Sequence, residues 1–236
     1  MKPFKFKQFT IHQDRCAMKV GTDGVLLGAW TSMERKPNSI LDIGSGTGLI
    51  ALQMAQRCDA ELIDAIELDE AAYEQCVENF EASPWADRLF CYHAGLDEFV
   101  DEIEYTYDLI VSNPPFYLEE MSSGDSSRDK ARQNTSLPFE ELLDGVSKLL
   151  SPEGIFSVII PFKEEKDFVE LAESFQLFPR RITRVKGSPN SAVKRSLLEF
   201  GFTKETIVEN ELMIELERHQ YTKEYVHLTK EFYLKM

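Results

Sequence analysis

Three groups of residues have the types and spacing to do chemistry together. In the first, Leu41-Asp42-Ile43-Gly44-Ser45-Gly46-Thr47-Gly48, glycines alternate between an apolar run and a longer amphipathic one. Glycines at the carboxyl end of a strand let a ligand approach the backbone, and open α/β sheets bind ligands at that edge. Leu49 stands where a G-x-G-x-x-G pattern would need its third glycine. The second group is Glu67, with Leu68 beside it, closing the next apolar run 23 residues after Gly44. An acid there can accept the hydroxyl hydrogens of a ribose. The third is Asn113-Pro114-Pro115-Phe116, just after another apolar run. Its prolines restrict the backbone to extended geometry. The Asn113 side-chain oxygen and the Pro114 carbonyl can then face one amino group, while Phe116 offers a flat surface to a planar base. Taken singly, these are also what a tight turn, a surface acid and a loop stop look like; their shared register sets them apart.

Elements that must hold these residues can be read from periodicity. SILDI (39–43), ELIDAIEL (61–68), RLFCYH (88–93), YDLIVSN (107–113) and GIFSVIIP (154–161) are expected strands. Amphipathic helices are expected at 48–58, 69–82, 137–150 and 163–175. This alternation predicts an α/β fold of Rossmann-like type, a mostly parallel doubly wound sheet. Near the end, two runs flank Gly-Ser-Pro-Asn and predict an antiparallel C-terminal hairpin at 181–202. A further strand is expected at 206–216 and a closing helix at 222–234. Residues 1–36 fall outside the repeat and are set apart as a small N-terminal appendage to a domain at 37–236.

The glycine turn and Glu67 suit either a nicotinamide dinucleotide or S-adenosyl-L-methionine. Asn113-Pro114-Pro115-Phe116 favours the second, because a hydride transfer has no clear use for it. With LDIGSGTG, it resembles the class I methyltransferases that act on amino or amide nitrogens. KFKQFTIHQDRCAMKVGTDGVLLGAW (5–30) is more specific. With SPW (83–85) and the closing EFYLKM, it resembles the bacterial tRNA adenine-N6 methyltransferases that modify valine tRNA beside the anticodon.

That resemblance implies S-adenosyl-L-methionine as donor, S-adenosyl-L-homocysteine as product and adenine N6 of A37 as acceptor. It assigns Asn113, Pro114, Pro115 and Phe116 to the target base. Asp42, Gly44, Ser45, Gly46, Gly48, Glu67, Leu68 and Asn113 are assigned to the cofactor. Lys19, Gly21, Thr22 and Asp23 match the segment that closes over its methionine part. One position departs from the pattern: Gly95 stands where the family has an acid for the cofactor adenine, leaving Asp97 or backbone groups to replace it.

Overall charge bears on the partner. With 26 Lys+Arg against 41 Asp+Glu, the formal charge is −15, which argues against indiscriminate coating of nucleic acid or anionic membrane. Local exceptions exist. Arg180, Arg181, Arg184, Lys186, Lys194 and Arg195 occur without an intervening acid, and Lys2, Lys5, Lys7, Arg15 and Lys19 precede residue 22 with only Asp14. The first group is the expected tRNA-binding track. Arg128, Lys130 and Arg132, in the polar stretch after Phe116, are a weaker basic group. Four cysteines, with no C-x-x-C pair or zinc spacing, read as reduced thiols and predict no metal. No apolar run approaches roughly 18 residues, so a cytoplasmic protein without membrane contact, and a monomer, is expected. Protein glutamine methylation, DNA adenine methylation and non-enzymatic RNA binding remain alternatives.

Overall fold

Neighbouring residues of the central strands are buried on opposite faces of one sheet: Ile40 joins one apolar cluster and Leu41 the other. A strand that is apolar on both faces requires helices on both. The computed structural model, which describes residues 2–115 and 137–236, has that layering. A small hairpin, β1 (Phe4–Lys5) and β2 (Thr10–Ile11), leads to α1 (Thr22–Trp30). Alternating elements follow: β3 (Ser39–Ile43), α2 (Leu49–Arg57), β4 (Leu62–Glu67), α3 (Glu70–Glu81), β5 (Leu89–His93), α4 (Leu96–Glu102) and β6 (Tyr107–Ser112). Then come α5 (Phe139–Leu149), β7 (Leu150–Pro161), α6 (Glu165–Ser174), β8 (Phe178–Lys186), β9 (Val193–Gly201) and β10 (Val208–Met213). A short ribbon, β11 (Glu215–Glu217) with β12 (Gln220–Tyr221), and α7 (Lys223–Thr229) complete the described elements.

The sheet order is β10-β8-β9-β7-β6-β3-β4-β5. Strands β7, β6, β3, β4 and β5 are mutually parallel, whereas β9 runs antiparallel between β7 and β8. This is the expected Rossmann-like sheet and hairpin. The edge strand β10 pairs in parallel with β8, a partner that periodicity alone does not name. One cluster buries α1, α2, α3 and Phe6, Phe9 and Ile11; the other buries α4, α5 and α6.

The segment set apart as 1–36 is built into this core. Every residue of α1 from Gly24 to Trp30 is buried. A helix buried all round has no polar face, so its period is invisible in the sequence. A side-chain carbon on Gly28 would fall 2.2 Å from Gln53 Oε1, so this glycine sets the close approach of α1 to α2. The Arg57 guanidinium, from α2, donates to the carbonyls of Gly28 (2.7 Å) and Thr31 (2.8 Å) at the end of α1. A cation there also complements the helix dipole. The helix α4, with only Leu96 and Phe99 buried among its seven residues, is likewise too short for a periodic signal. The closing helix is shorter than expected, and Phe6 then bridges Tyr233.

Asp42 joins the first crossover to the sheet. It is fully buried on β3, and its Oδ2 accepts the N–H of Ala51 (3.1 Å), the third residue of α2. That N–H has no partner within the helix. Its Oδ1 has no protein partner among the described residues. Burial pushes the carboxyl up to about 7; Glu67 adds to the shift and the Ala51 N–H opposes it. In the unfolded chain the group ionises near 3.9. The unfolded state therefore releases this proton first, and Asp42 removes stability as pH rises from about 4 to about 7. Against pH, the stability advantage of Asp42→Asn over wild type should grow across that window and level off above it. Denaturant melts from pH 4.5 to 8.5 check this; a constant difference would refute it.

Candidate functional site

Beyond Ile43, the chain turns through Gly44 (φ +71°) and Gly46 (φ +55°), in the left-handed region that L side chains rarely adopt. A carbon added at either would meet nothing within 4 Å, so both face open space. Gly48 differs, because a carbon there would lie 2.5 Å from the Phe80 ring; it serves the packing of α2 on α3. The turn is tied to the neighbouring strand. Gly44 and Ser45 N–H donate to the Ile66 carbonyl (3.0 and 3.1 Å), and Gly46 N–H donates to Glu67 Oε2 (2.8 Å). Glu67 Oε1 accepts from Asp69 N–H (2.9 Å). A carboxylate offers about four lone-pair sites, so two loop donors leave acceptor capacity for a diol.

Above this turn lies a cavity of about 450 Å³, bounded by the carboxyl ends of β3, β4, β5 and β6. Gly44, Gly46, Glu67, Leu68, Pro114 and Pro115 all line it. Asn113, partly buried, stands at the same strand end; a carbon on Gly24 of α1 would lie 3.9 Å from its Nδ2. Its amide makes no hydrogen bond among the described residues. Phe116 lies outside the described residues, as do Arg128, Lys130 and Arg132.

Other assigned residues are not in the lining. Asp42 is buried behind the turn, and Ser45 is buried with its Oγ 3.6 Å from Cys76 Sγ. Lys19 turns inward, its Nζ donating to the carbonyls of Gln13 (2.6 Å) and Cys16. It thereby shapes the loop whose Cys16, Ala17 and Met18 do line the cavity, residues that carry no chemical signature in the sequence. Asp23 pairs with Arg195 (2.8 Å), while Gly21 and Thr22 border a second cavity.

The departure at Gly95 has a structural answer. A carbon on Gly95 would fall 2.7 Å from Asp97 Oδ1, so the Asp97 carboxylate already occupies the space of a side chain at 95. Asp97 lines the cavity with Glu141, whose carboxyl is raised by burial and by the Asp97 charge. Glu98 reaches back to accept from Gly95 N–H (3.1 Å) and fixes the start of α4.

The basic hairpin changes most on folding. Arg180 pairs with Glu205 (2.8 Å), Arg181 with Glu199 (2.7 Å), Arg184 with Glu165 and Glu209 (both 2.7 Å), and Lys186 with Glu211 (2.5 Å). The Arg181 guanidinium also lies 3.8 Å from the Trp30 ring centre. Only Lys194 of the six has no ion pair among the described residues. Acids distant in sequence thus neutralise a segment that contains none, and the hairpin offers RNA less positive charge than its sequence reads. The two basic segments do approach each other, through Asp23–Arg195 and where Gly187 lines one cavity with Gly21 and Thr22.

Residues 21–176 match the family described as methyltransferase small domain. The tRNA1(Val) (adenine(37)-N6)-methyltransferase of Christiangramia forsetii is 61% identical over 237 residues, covering 100% of this chain and 99% of its own. That of Flavobacterium johnsoniae is 62% identical over 234 residues, covering 99% of this chain and 100% of its own. The chain belongs to this methyltransferase family. In fold it is similar to a predicted O-methyltransferase from Agrobacterium tumefaciens, with a TM-score of 0.69 at 18% identity over 89% of this chain and 96% of that one. As a class I methyltransferase, it uses S-adenosyl-L-methionine. The cavity suits that cofactor: open glycine turn, spare acceptor capacity at Glu67 and a carboxylate at Asp97. Among the described residues there is no group of three potential metal ligands, and no helix is long and apolar enough to cross a membrane.

Asp97→Asn should weaken binding of S-adenosyl-L-homocysteine about tenfold, since a hydrogen bond to a charged acceptor is worth about 1.5–3 kcal/mol and Asp97 is exposed enough to be partly compensated by water. Titration calorimetry measures this. An unchanged Kd would assign the adenine to backbone groups.

Proposed function

We propose that this chain methylates N6 of an adenine in tRNA, the A37 position beside the anticodon of tRNA1(Val). The observation that carries the reading is the Asn113 amide, without a hydrogen-bond partner among the described residues, on a proline-held turn that borders the cofactor cavity. The names and full-length coverage of the relatives support the same substrate.

Adenine's exocyclic amine is a poor nucleophile, because its lone pair is delocalised into the ring. In this reading, Asn113 Oδ1 and the Pro114 carbonyl accept its two hydrogens and favour a pyramidal nitrogen whose lone pair points into the cavity. The bound cofactor supplies a methyl group on a positively charged sulfur. Alignment then carries much of the catalysis. No strong base is needed before attack, as the methylated nitrogen is acidic and releases its proton afterwards. The target base must leave its stack to reach this turn, which costs less in an RNA loop than in a duplex.

Two measurements test the reading. Incubated with labelled methyl donor and tRNA from cells lacking the gene, the protein should place N6-methyladenosine in one tRNA species. Label in protein with unmodified tRNA would overturn it. Asn113→Ala should lower kcat on the order of 100-fold or more, the scale of losing one oriented polar group at a reacting centre, with cofactor Kd within twofold. Parallel losses in both would instead make Asn113 a cofactor ligand.

A further inference from the structure

A second cavity, of about 520 Å³, lies on the other side of the segment that covers the first: Met18 borders one and Val20 the other. Its wall is aromatic, with Phe4 from β1, Tyr221 from β12, Tyr225 from α7 and Tyr233 beyond it. The Tyr221 and Tyr225 rings are 5.3 Å apart, and Phe4 meets Tyr233 edge-on at 6.3 Å. Tyr225 is buried, whereas Tyr221 is 39% exposed, so of the two rings Tyr221 is the one a ligand can reach. Rings joined to hydroxyls match a planar ligand with polar edges better than an aliphatic chain.

Position and charge narrow that ligand. The cavity is bordered by Gly21 and Thr22, and the chain from Thr22 to Gly24, which lies against Asn113, spans at most about 7 Å. An occupant therefore sits close to the target base. Lys235 lines the rim, and Lys2 and Lys5 flank Phe4; none has a carboxylate within ion-pair distance among the described residues. Lys7 adds a charge nearby, its Nζ donating to the Lys230 carbonyl (2.6 Å). The single acid in the lining, Glu215, accepts from His219 N–H (3.3 Å). Unlike the paired hairpin arginines, these lysines are available to phosphate.

We infer that this tyrosine-lined cavity is a second base-binding site, taking an unstacked nucleobase of the anticodon loop next to the target adenine. The base stacks on Tyr221, and Lys235 with Lys2 and Lys5 meets the adjoining phosphates. The inference rests on the tRNA reading above. It moves the main RNA contact from the hairpin to the joined chain ends.

Kinetics of Tyr221→Ala and Tyr221→Phe against tRNA test it. Stacking is worth about 1–3 kcal/mol per base, so the alanine variant should raise KM for tRNA about tenfold. Tyr221→Phe should stay within twofold of wild type, and kcat at saturating tRNA and cofactor Kd should hold in both. An unchanged KM for Tyr221→Ala, or a fall in its cofactor affinity, would overturn the site. Binding can be read without methylation, using anticodon stem-loops with 2-aminopurine at single loop positions. Wild type and Tyr221→Phe should alter the fluorescence at one position besides the target, and Tyr221→Ala should not. Fluorescence changes at the target position alone would refute the second site. A wild-type protein that methylates no tRNA would refute the substrate reading itself.

Discussion

The hydrogen bond from Gly46 N–H to Glu67 joins the two strands on which the site depends. Gly44 and Gly46 adopt backbone geometry that costs little in glycine but needs external support to persist. Glu67, held at the end of β4 opposite His93 of β5, supplies that support with one oxygen while its other oxygen fixes the start of α3 through Asp69. Asp69 in turn caps α3 by accepting the Ala72 N–H (2.9 Å). A single carboxylate thus ties the glycine turn to the next helix and stands in the cavity lining. With β6 beside β3, Asn113 and Pro114 reach the same edge by register alone.

Much of this was legible in the sequence because the relevant signals are local. The glycine turn, the acid at the end of β4 and the proline-held turn after β6 each follow a short apolar strand. Parallel pairing then brings three separated segments to one edge. Asn113 required no tertiary information beyond that topology. The roles of Asp42 and Lys19 were less accessible. Their residue types suit a ligand, yet Asp42 faces α2 and Lys19 faces its own loop carbonyls. A side chain's direction depends on what packs behind it, and the sequence alone does not encode this locally.

Charge was the least legible property. The segment from Arg180 to Arg195 contains no acid, but Glu165, Glu199, Glu205, Glu209 and Glu211 converge on it from α6, β9, β10 and the intervening loop. Some of these bonds are structural. Arg181 is locked between Glu199 and the Trp30 carbonyl, and Ser32 N–H donates to the same Glu199. The resulting network ties α1 to the antiparallel half of the sheet. Net charge of −15 over the chain therefore coexists with cations committed to the fold and with Lys2, Lys5 and Lys235, which have no ion pair among the described residues, where the chain ends meet.

Two tasks meet at Glu67, which holds the glycine turn and, in the reading proposed above, receives the cofactor ribose. Calorimetry of Glu67→Gln with S-adenosyl-L-homocysteine, adenosine and methionine tests that double role most directly. An amide keeps one acceptor oxygen for Gly46, gives up the acceptor for Asp69 N–H and loses the charged pair facing a diol, so affinity for the first two should fall about tenfold or more. Any methionine affinity should not change, and the fold should survive by circular dichroism. Undiminished binding of S-adenosyl-L-homocysteine would mean that the ribose is held by groups other than Glu67.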